Sequence, residues 1–136
     1  MKLDLSPFEN ALQSLDKVLK EYKKNSNEFM RDACIQRFEY CYELSWKMLK
    51  RFLETTSPGI NLIDELSFPD LIRVSNEKNL LRSDWEKWKI YRDARNATSH
   101  AYNEKKAKEV FSVIPDFYLE AEFLLNNLKK GNEHLE

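Results

Sequence analysis

The segment 28–55 constrains the fold of this chain more than any other feature. Its apolar residues recur at steps of three and four, and they cover more than one side of the helix that this spacing predicts. Such a helix is typically central, because several of its faces must pack against neighbours. Its polar stripe is narrow and consists of Glu39, Glu43 and Lys47, each four residues apart. The sequence therefore predicts one long helix at the centre of a helical protein.

Helical spacing also accounts for most of the remaining chain. Two sequences are typical of the capping boxes that begin helices, Ser6 with Glu9 and Ser83 with Glu86. Besides the central segment, helices are predicted over 6–24, 69–79, 83–94 and 104–128, with a connector over 59–67. Pro115 lies inside the last of these ranges, where a proline either kinks a helix or divides it in two.

Composition supports helices and argues against sheets. The 136 residues include 2 Gly, and Val and Ile together number ten, so hairpin turns and strand formers are both scarce. This argues against an all-β fold and, less strongly, against an α/β fold. With 42% apolar residues, the chain is also too hydrophobic for a disordered protein. We therefore predict an all-α, up-and-down bundle of four main helices and a short extra helix over residues 1–130, followed by a polar tail over 131–136.

The cysteines and the lack of a targeting signal indicate a cytoplasmic protein. No secretory signal and no membrane-spanning apolar run is evident in the sequence. Cys34 and Cys41 lie seven residues apart, which on one helix separates them by about 10 Å along the axis. That distance is too long for a disulfide, so two buried thiols in a reducing compartment are the simpler interpretation.

Charge is unevenly distributed, although the formal net charge is −1. The stretch 87–108 holds seven basic and two acidic residues and carries +5, whereas 109–136 carries −4. A near-neutral chain with one basic block does not resemble a general nucleic-acid coat, but such a block can form a local site for a polyanion. A solvated helix face is the simpler explanation of a charge run, and charge alone leaves both interpretations open.

Few residues of this chain are suited to catalysis. The sequence contains no glycine-rich phosphate loop, no Cys/His metal spacing and no nucleophile motif, so we predict no metal site and no cofactor. Of the two histidines, His134 lies in the polar tail and is expected to be inert. His100 lies in a polar segment between two predicted helices, inside the basic block and five residues after Arg95.

An arginine and a histidine together can act on RNA without a metal. A guanidinium such as that of Arg95 binds phosphate through parallel N–H groups, and an imidazole such as that of His100 moves protons near neutral pH. On an unbroken helix the two side chains would point about 140° apart. They converge only if the helix ends between them, which the helix-poor tripeptide 97–99 permits, or if a second subunit supplies a matching pair. A helix-terminating histidine beside a surface arginine is the simpler explanation of these two residues alone.

The segment 95–100 resembles the R-x4-6-H motif of the HEPN superfamily of small helical bundles. Asn96 matches the polar residue that usually follows the arginine in that motif. The segment 36–47, which reads QRFEYCYELSWK, is similar to the central helix of one branch of the superfamily, the nucleotidyltransferase substrate-binding proteins. The resemblance covers nearly the whole chain, and it is carried by the motif, the central helix and the number of helices together.

The resemblance implies a homodimer that works with a minimal nucleotidyltransferase encoded nearby. Many HEPN proteins are metal-independent ribonucleases and toxins whose cleft forms where two such motifs meet across a dimer, and Arg95 and His100 match their catalytic residues. In some of these systems the nucleotidyltransferase transfers AMP onto a tyrosine two residues after the histidine, a position that Tyr102 holds here. The residues expected to line the cleft are Asn96, Glu39, Glu43 and Lys47.

Three functions stay open at this point. The chain is a ribonuclease silenced by AMP transfer to Tyr102, a non-catalytic subunit that presents a nucleotide or acceptor substrate to its partner, or a helical dimerisation module without a ligand. The first two place RNA or a nucleotide in the basic cleft. Trp46, Trp85 and Trp88 could stack on a base, although packing in a core or dimer interface is the more usual role of tryptophan.

Overall fold

The computed structural model of the chain describes residues 2–57 and 60–135. Within these ranges the chain forms six α-helices and one 3₁₀ turn and contains no β-strand. The helices are α1 (Ser6–Lys24), α2 (Glu28–Thr56), α3 (Ile60–Asp64), α4 (Phe68–Glu77), α5 (Trp85–Ala97) and α6 (Glu104–Glu133), and the 3₁₀ turn Thr98–His100 lies between α5 and α6. The all-α fold that the sequence predicts is confirmed.

The helix α2 lies at the centre of the bundle and contacts each of the other five helices. Its apolar residues are buried on several sides, and Phe38, Cys41 and Leu49 have no exposed surface. Both cysteines are buried free thiols, and burial raises the pKa of Cys41 to about 12. The central position predicted for this segment is confirmed, because its broad apolar surface finds neighbours all round.

A cluster of aromatic rings joins α2, α5 and α6. Phe117 of α6 lies at its centre, with its ring centroid 5.1 Å from Phe38, 5.4 Å from Tyr91 and 6.2 Å from Trp88. All four rings are almost fully buried, and each of the three contacts is edge-to-face, the arrangement that aromatic quadrupoles favour. The cluster holds α5 against both long helices and so determines the position of its C-terminal end.

The helix α6 is continuous from Glu104 to Glu133, with Pro115 inside it. It is therefore not divided at the proline. Pro115 is exposed, so its ring lies on the solvent side of the helix, where the missing backbone hydrogen bond is least costly.

The C-terminal end of α6 lies further along the chain than the sequence predicts, so that residues 131–133 belong to the helix. Asn132 explains this extension through two contacts with the N-terminal segment. The Leu3 N–H donates to Asn132 Oδ1 and Asn132 Nδ2 donates to the Leu3 carbonyl, both at 2.9 Å. His134 is exposed at the C-terminal cap.

Two local predictions at helix starts are wrong. At α1 the acceptor is Asp4 rather than Ser6, since Asp4 Oδ1 accepts the Ser6 N–H at 3.0 Å. At α5 the cap is Asp84 rather than Ser83, and its Oδ1 accepts the Glu86 N–H at 3.1 Å. In both cases a neighbouring aspartate supplies the same kind of acceptor together with a negative charge, which the dipole at a helix N-terminus favours.

The predicted connector contains the short helix α3, so that prediction is wrong for residues 60–64, whereas 65–67 do connect α3 to α4; residue 59 lies outside the described ranges. Ile63 of α3 is buried, and Lys50 Nζ of α2 lies 2.8 Å from Asp64 Oδ1. A single turn of this length has little intrinsic stability, so these contacts with α2 are what maintain it.

Candidate functional site

The helix that carries Arg95 ends before His100. α5 stops at Ala97, and the 3₁₀ turn Thr98–His100 follows it directly. Thr98 donates its hydroxyl to the Arg95 carbonyl at 2.8 Å, and the Ala101 N–H donates to the Thr98 carbonyl at 3.1 Å. These bonds replace the regular helical ladder, so the break that the sequence permits at 97–99 is present.

His100 and Tyr102 project from the turn into solvent. Both side chains are exposed, and Tyr102 is 88% exposed, the highest value among the large hydrophobic side chains described. Their ring centroids lie 6.4 Å apart in a tilted, edge-on arrangement. The Asn103 side chain then accepts the Lys106 N–H at 3.2 Å and begins α6. A short connection thus presents an imidazole and a phenol side by side.

Arg95 contacts the polar stripe of α2. Its Nε lies 3.3 Å from Glu43 Oε1, and its Nη1 lies 4.0 Å from Glu39 Oε2. Lys47 Nζ lies 3.9 Å from the other Glu43 oxygen. The contact between Arg95 Nε and Glu43 is an ion pair and not a hydrogen bond. The buried Nε has no hydrogen-bond partner among the described residues. The structure therefore brings Arg95, Glu39, Glu43 and Lys47 together, as two cations and two carboxylates.

A shallow depression of about 210 Å³ links this cluster to the turn. Glu39 and Gln36 of α2 form one wall, and Ala101 and Tyr102 form the other. Glu39 thus lies between Arg95 on one side and Tyr102 on the other. Asn96 is exposed, and its side chain makes no hydrogen bond with the described residues.

Arg95 and His100 do not contact each other within one chain. No hydrogen bond or ion pair joins their side chains among the described residues. Within the described residues the two groups therefore have separate partners, Arg95 on the carboxylates of α2 and His100 beside Tyr102.

The basic block is largely neutralised by carboxylates. Lys87 lies 3.6 Å from Asp116, Lys106 lies 3.4 Å from Glu109, and Lys108 lies 3.9 Å from Glu104. Together with Arg95, four of the seven basic residues are paired. Within the described ranges the remaining three, Lys89, Arg92 and Lys105, form no ion pair. The local charge that a ligand meets is therefore much smaller than the +5 of the sequence.

The sequence analysis missed the residue that holds the turn in place, Arg31. Its side chain is 9% exposed, its Nη1 donates to Glu104 Oε1 at 2.7 Å, and its Nε lies 3.5 Å from Asp32. The hydrogen bond raises the pKa of Arg31 and lowers that of Glu104. Glu104 is the first residue of α6, so this bond ties the end of the turn to α2. One sequence signal could have found it: Arg31 lies three residues before Cys34, on the same face of the helix as that buried side chain. A cation on a buried face needs a partner.

The described residues contain no group of three or more His, Cys, Asp or Glu side chains that could hold a metal ion. The two carboxylates Glu39 and Glu43 are paired with Arg95. Over the same ranges, no helix is both long and apolar enough to cross a membrane.

The chain is similar to known proteins over nearly its whole length. Residues 3–130 match the family model described as nucleotidyltransferase substrate binding protein like. The chain is 34% identical to a Haemophilus influenzae protein named "Probable ribonuclease HepT", across 98% of this chain and 97% of that protein.

Two solved structures share the fold. One, from Haemophilus influenzae, is described as revealing the fold of a substrate binding domain of a nucleotidyltransferase; it superimposes with a TM-score of 0.85 at 33% identity, covering 93% of this chain and 99% of that one. A protein of Thermus thermophilus superimposes with a TM-score of 0.72 at 32% identity, covering 90% and 98%. With its helical bundle and the matched residues 3–130, the chain belongs to the family of nucleotidyltransferase substrate-binding proteins.

Proposed function

We propose that this chain is the partner subunit of a minimal nucleotidyltransferase and that it cleaves RNA without a metal ion. The family match and the relative named as a ribonuclease support the two halves of this proposal. The observation that carries it is the helix end at 97–98, which exposes His100 and Tyr102 and places Tyr102 across a shallow depression from Glu39, one of the carboxylates paired with Arg95.

The chemistry requires one base, one acid and one cation. His100 removes the proton from a ribose 2′-hydroxyl, and the 2′-oxygen attacks the phosphorus. The bond from phosphorus to the 5′-oxygen breaks, and His100 of the partner subunit protonates that oxygen, which leaves a 2′,3′-cyclic phosphate and a 5′-hydroxyl. Arg95 stabilises the charge on the phosphorane with the guanidinium donors that face away from Glu43.

A homodimer supplies the second histidine. Because the mechanism uses one histidine as base and a second as acid, the proposal requires two copies of the helix end to face each other across a dimer axis. Glu43 then acts as a positioning residue, since its contact with Nε holds the guanidinium in one orientation.

The test of cleavage uses the purified chain with single-stranded RNA in EDTA. We expect cleavage by the natural chain, and we expect His100→Ala and Arg95→Ala each to lower the rate at least about a hundredfold. Lys89→Ala is the matched control, because it removes an exposed, unpaired cation of the same helix outside the motif, and it should change the rate less than twofold. Restoration of activity by added divalent metal, or equal activity of His100→Ala, would contradict the mechanism.

Tyr102 is the proposed site of regulation by the nucleotidyltransferase. Its hydroxyl oxygen attacks the α-phosphorus of ATP, pyrophosphate leaves, and the phenol proton passes to solvent. The 88% exposure of Tyr102 makes the oxygen accessible to a second enzyme, and the product adds bulk and negative charge next to His100. After co-expression with the neighbouring nucleotidyltransferase, mass spectrometry should find one added AMP on Tyr102 and none on the Tyr102→Phe variant. An unmodified Tyr102 would contradict this role.

A non-catalytic binding subunit is the second candidate function. The observation that favours it is the pairing of Arg95 with Glu39 and Glu43, which reduces its attraction for a phosphate. In that case the chain would not cleave RNA but would bind the nucleotidyltransferase, and Arg95→Ala would weaken binding of a nucleotide or acceptor to the complex. If Arg95→Ala and His100→Ala leave every partner and ligand interaction unchanged, a purely structural dimerisation module is the remaining interpretation.

A further inference from the structure

A second cavity lies among the helices α2, α3, α4 and α5. It has a volume of about 340 Å³, and Trp46, Lys50, Phe68 and Arg92 are among its lining residues. Trp46 and Lys50 follow Glu43 by three and seven residues on α2, which corresponds to about 5–10 Å along the helix. Arg92 precedes Arg95 by three residues on α5. The cavity is therefore one to two helical turns from Arg95, on the side away from His100.

Arg92 is the cation of this cavity that forms no ion pair with the described residues. Its guanidinium carbon lies 4.9 Å from the centre of the Trp85 ring, and among the described residues it has no carboxylate partner and no hydrogen bond. Stacking on Trp85 holds the guanidinium plane while its N–H groups stay available. A guanidinium in this state is suited to bidentate binding of a phosphate.

Lys50 does not share that role. Its Nζ lies 2.8 Å from Asp64 Oδ1, and this contact raises the pKa of Lys50 while it lowers that of Asp64. The Lys50 charge is thus neutralised within the fold, which leaves Arg92 as the anion-binding group of the cavity.

Trp46 and Phe68 provide the aromatic wall of the cavity. Their ring centroids lie 6.3 Å apart at an interplanar angle of 86°, and both side chains are only partly buried. Trp88, by contrast, has no exposed surface and belongs to the core. A partly exposed indole can stack on a nucleic-acid base of any identity. The volume lies at the lower end of the range for small-molecule sites, about 300–1,000 Å³.

We propose that this cavity binds one nucleotide unit, with its base against Trp46 and its phosphate on Arg92. The proposal deepens the proposed function and rests on it in one respect, since an RNA strand with its scissile phosphate at Arg95 would place a neighbouring nucleotide here. The same chemistry suits a free nucleoside monophosphate, and binding does not require cleavage.

The test measures binding rather than cleavage, on the full-length His100→Ala chain so that RNA stays intact. The probes are AMP and a short single-stranded RNA, titrated by fluorescence anisotropy and by NMR of the tryptophan indole N–H signals. We expect the Trp46 signal to shift while that of buried Trp88 does not. Arg92→Gln and Trp46→Leu should each weaken binding about tenfold or more. Lys89→Gln, which removes an unpaired cation one turn earlier on the same helix, should change it less than twofold.

The outcomes distinguish a free nucleotide from a unit of an RNA strand, and they test this inference separately from the proposed cleavage. Binding of both probes that depends on Arg92 supports a general nucleotide site, and an effect on RNA alone supports a site for one unit of a strand. If Arg92→Gln leaves both affinities unchanged in a variant that keeps the helical circular dichroism of the natural chain, the inference is wrong. It is also wrong if the variants weaken only the binding of the nucleotidyltransferase. A natural chain that binds as expected but does not cleave RNA would contradict the proposed cleavage and leave this inference intact.

Discussion

Glu120 is the one fully buried carboxylate among the described residues. Its Oε2 accepts the Arg82 backbone N–H at 2.7 Å, but its Oε1 is buried without a hydrogen-bond partner. Burial therefore raises the pKa of Glu120, and the Ser83 side chain and the Arg82 backbone N–H, which favour the charged carboxylate, offset only part of this effect. An ionised carboxylate in this position lowers the stability of the folded state, because its charge is poorly solvated.

This burial predicts a specific pH dependence of stability. Because the pKa of Glu120 is raised on folding, the folded state binds the proton more tightly than the unfolded chain, and stability falls as the pH rises above about 4.5. Glu120→Gln removes the titration and still offers an acceptor to Arg82. We expect this variant to be more stable than the natural chain at pH 7.5, with the difference vanishing near pH 4.

Urea unfolding at both pH values measures the effect, and the exposed Glu122→Gln should show no such difference. If Glu120→Gln is the less stable protein at pH 7.5, the ionised carboxylate has a stabilising partner and the interpretation is wrong.

Asp116 illustrates the opposite case. Tyr91 donates its hydroxyl to Asp116 Oδ2 at 2.6 Å, and this hydrogen bond, with help from Lys87 and Arg82, lowers the pKa of Asp116. The resulting contribution to stability is present above the unfolded pKa of about 3.8 and is lost as the pH falls through the lower folded value. Asp116 thus lies in the same helix as Glu120 but has the opposite pH dependence. Its protonation at low pH destabilises the folded state, so we expect the protein to lose stability in acid.

At the scale of helices, α6 is notable because it contains a proline, Pro115, in its interior. Pro115 cannot donate to the carbonyl of Phe111, four residues earlier, and its ring crowds that carbonyl. The helix nevertheless continues to Glu133, because residues on both sides of the proline are packed in the core, among them Ile114 and Phe117. Tertiary packing therefore outweighs the local cost of the proline.

Replacement of this proline should stabilise the protein. Pro115→Ala restores one helical hydrogen bond on an exposed surface, and we expect the free energy of unfolding to rise by about 1–3 kcal/mol. Urea titration checks this value, with the exposed Asn126→Ala as a control that should gain less than about 1 kcal/mol from helix propensity alone. An unchanged or lower stability of Pro115→Ala would mean that contacts of the proline ring outweigh the missing bond.

At the scale of the whole molecule, one chain supplies only part of the machinery that the proposed cleavage needs. α5 and the 3₁₀ turn present His100 and Tyr102, and α2 holds Arg95 through Glu43, but among the described residues no hydrogen bond or ion pair joins Arg95 to His100. A second copy of the same helix end would supply the missing acid and bring the charges of two clusters together.

Activity should therefore depend on protein concentration. If two chains form the cleft, the cleavage rate per chain falls as dilution takes the protein below its dimer dissociation constant. Initial rates over a dilution series, compared with sedimentation velocity on the same samples, check this dependence. A rate per chain that stays constant while the protein dissociates would show that one chain suffices.

The sequence by itself determined the main helices and the central place of the long helix, and it permitted the break between Arg95 and His100. Apolar spacing and caps are local signals, and a helix depends on them over a few turns. The spacing also placed Glu39, Glu43 and Lys47 on one stripe, which the structure finds next to Arg95. Local signals were less reliable at the helix starts, where two aspartates replace the serines that the pattern favoured.

Only the tertiary structure decided which charges meet. Arg31 and Glu104 are 73 residues apart in the sequence, and Leu3 and Asn132 are 129 apart, so no periodicity relates them. The same holds for Arg92, because its lack of a carboxylate partner among the described residues is a property of how the helices pack. The physical reason is that helix formation depends on neighbours along the chain, whereas the partner of a charge depends on how the helices pack.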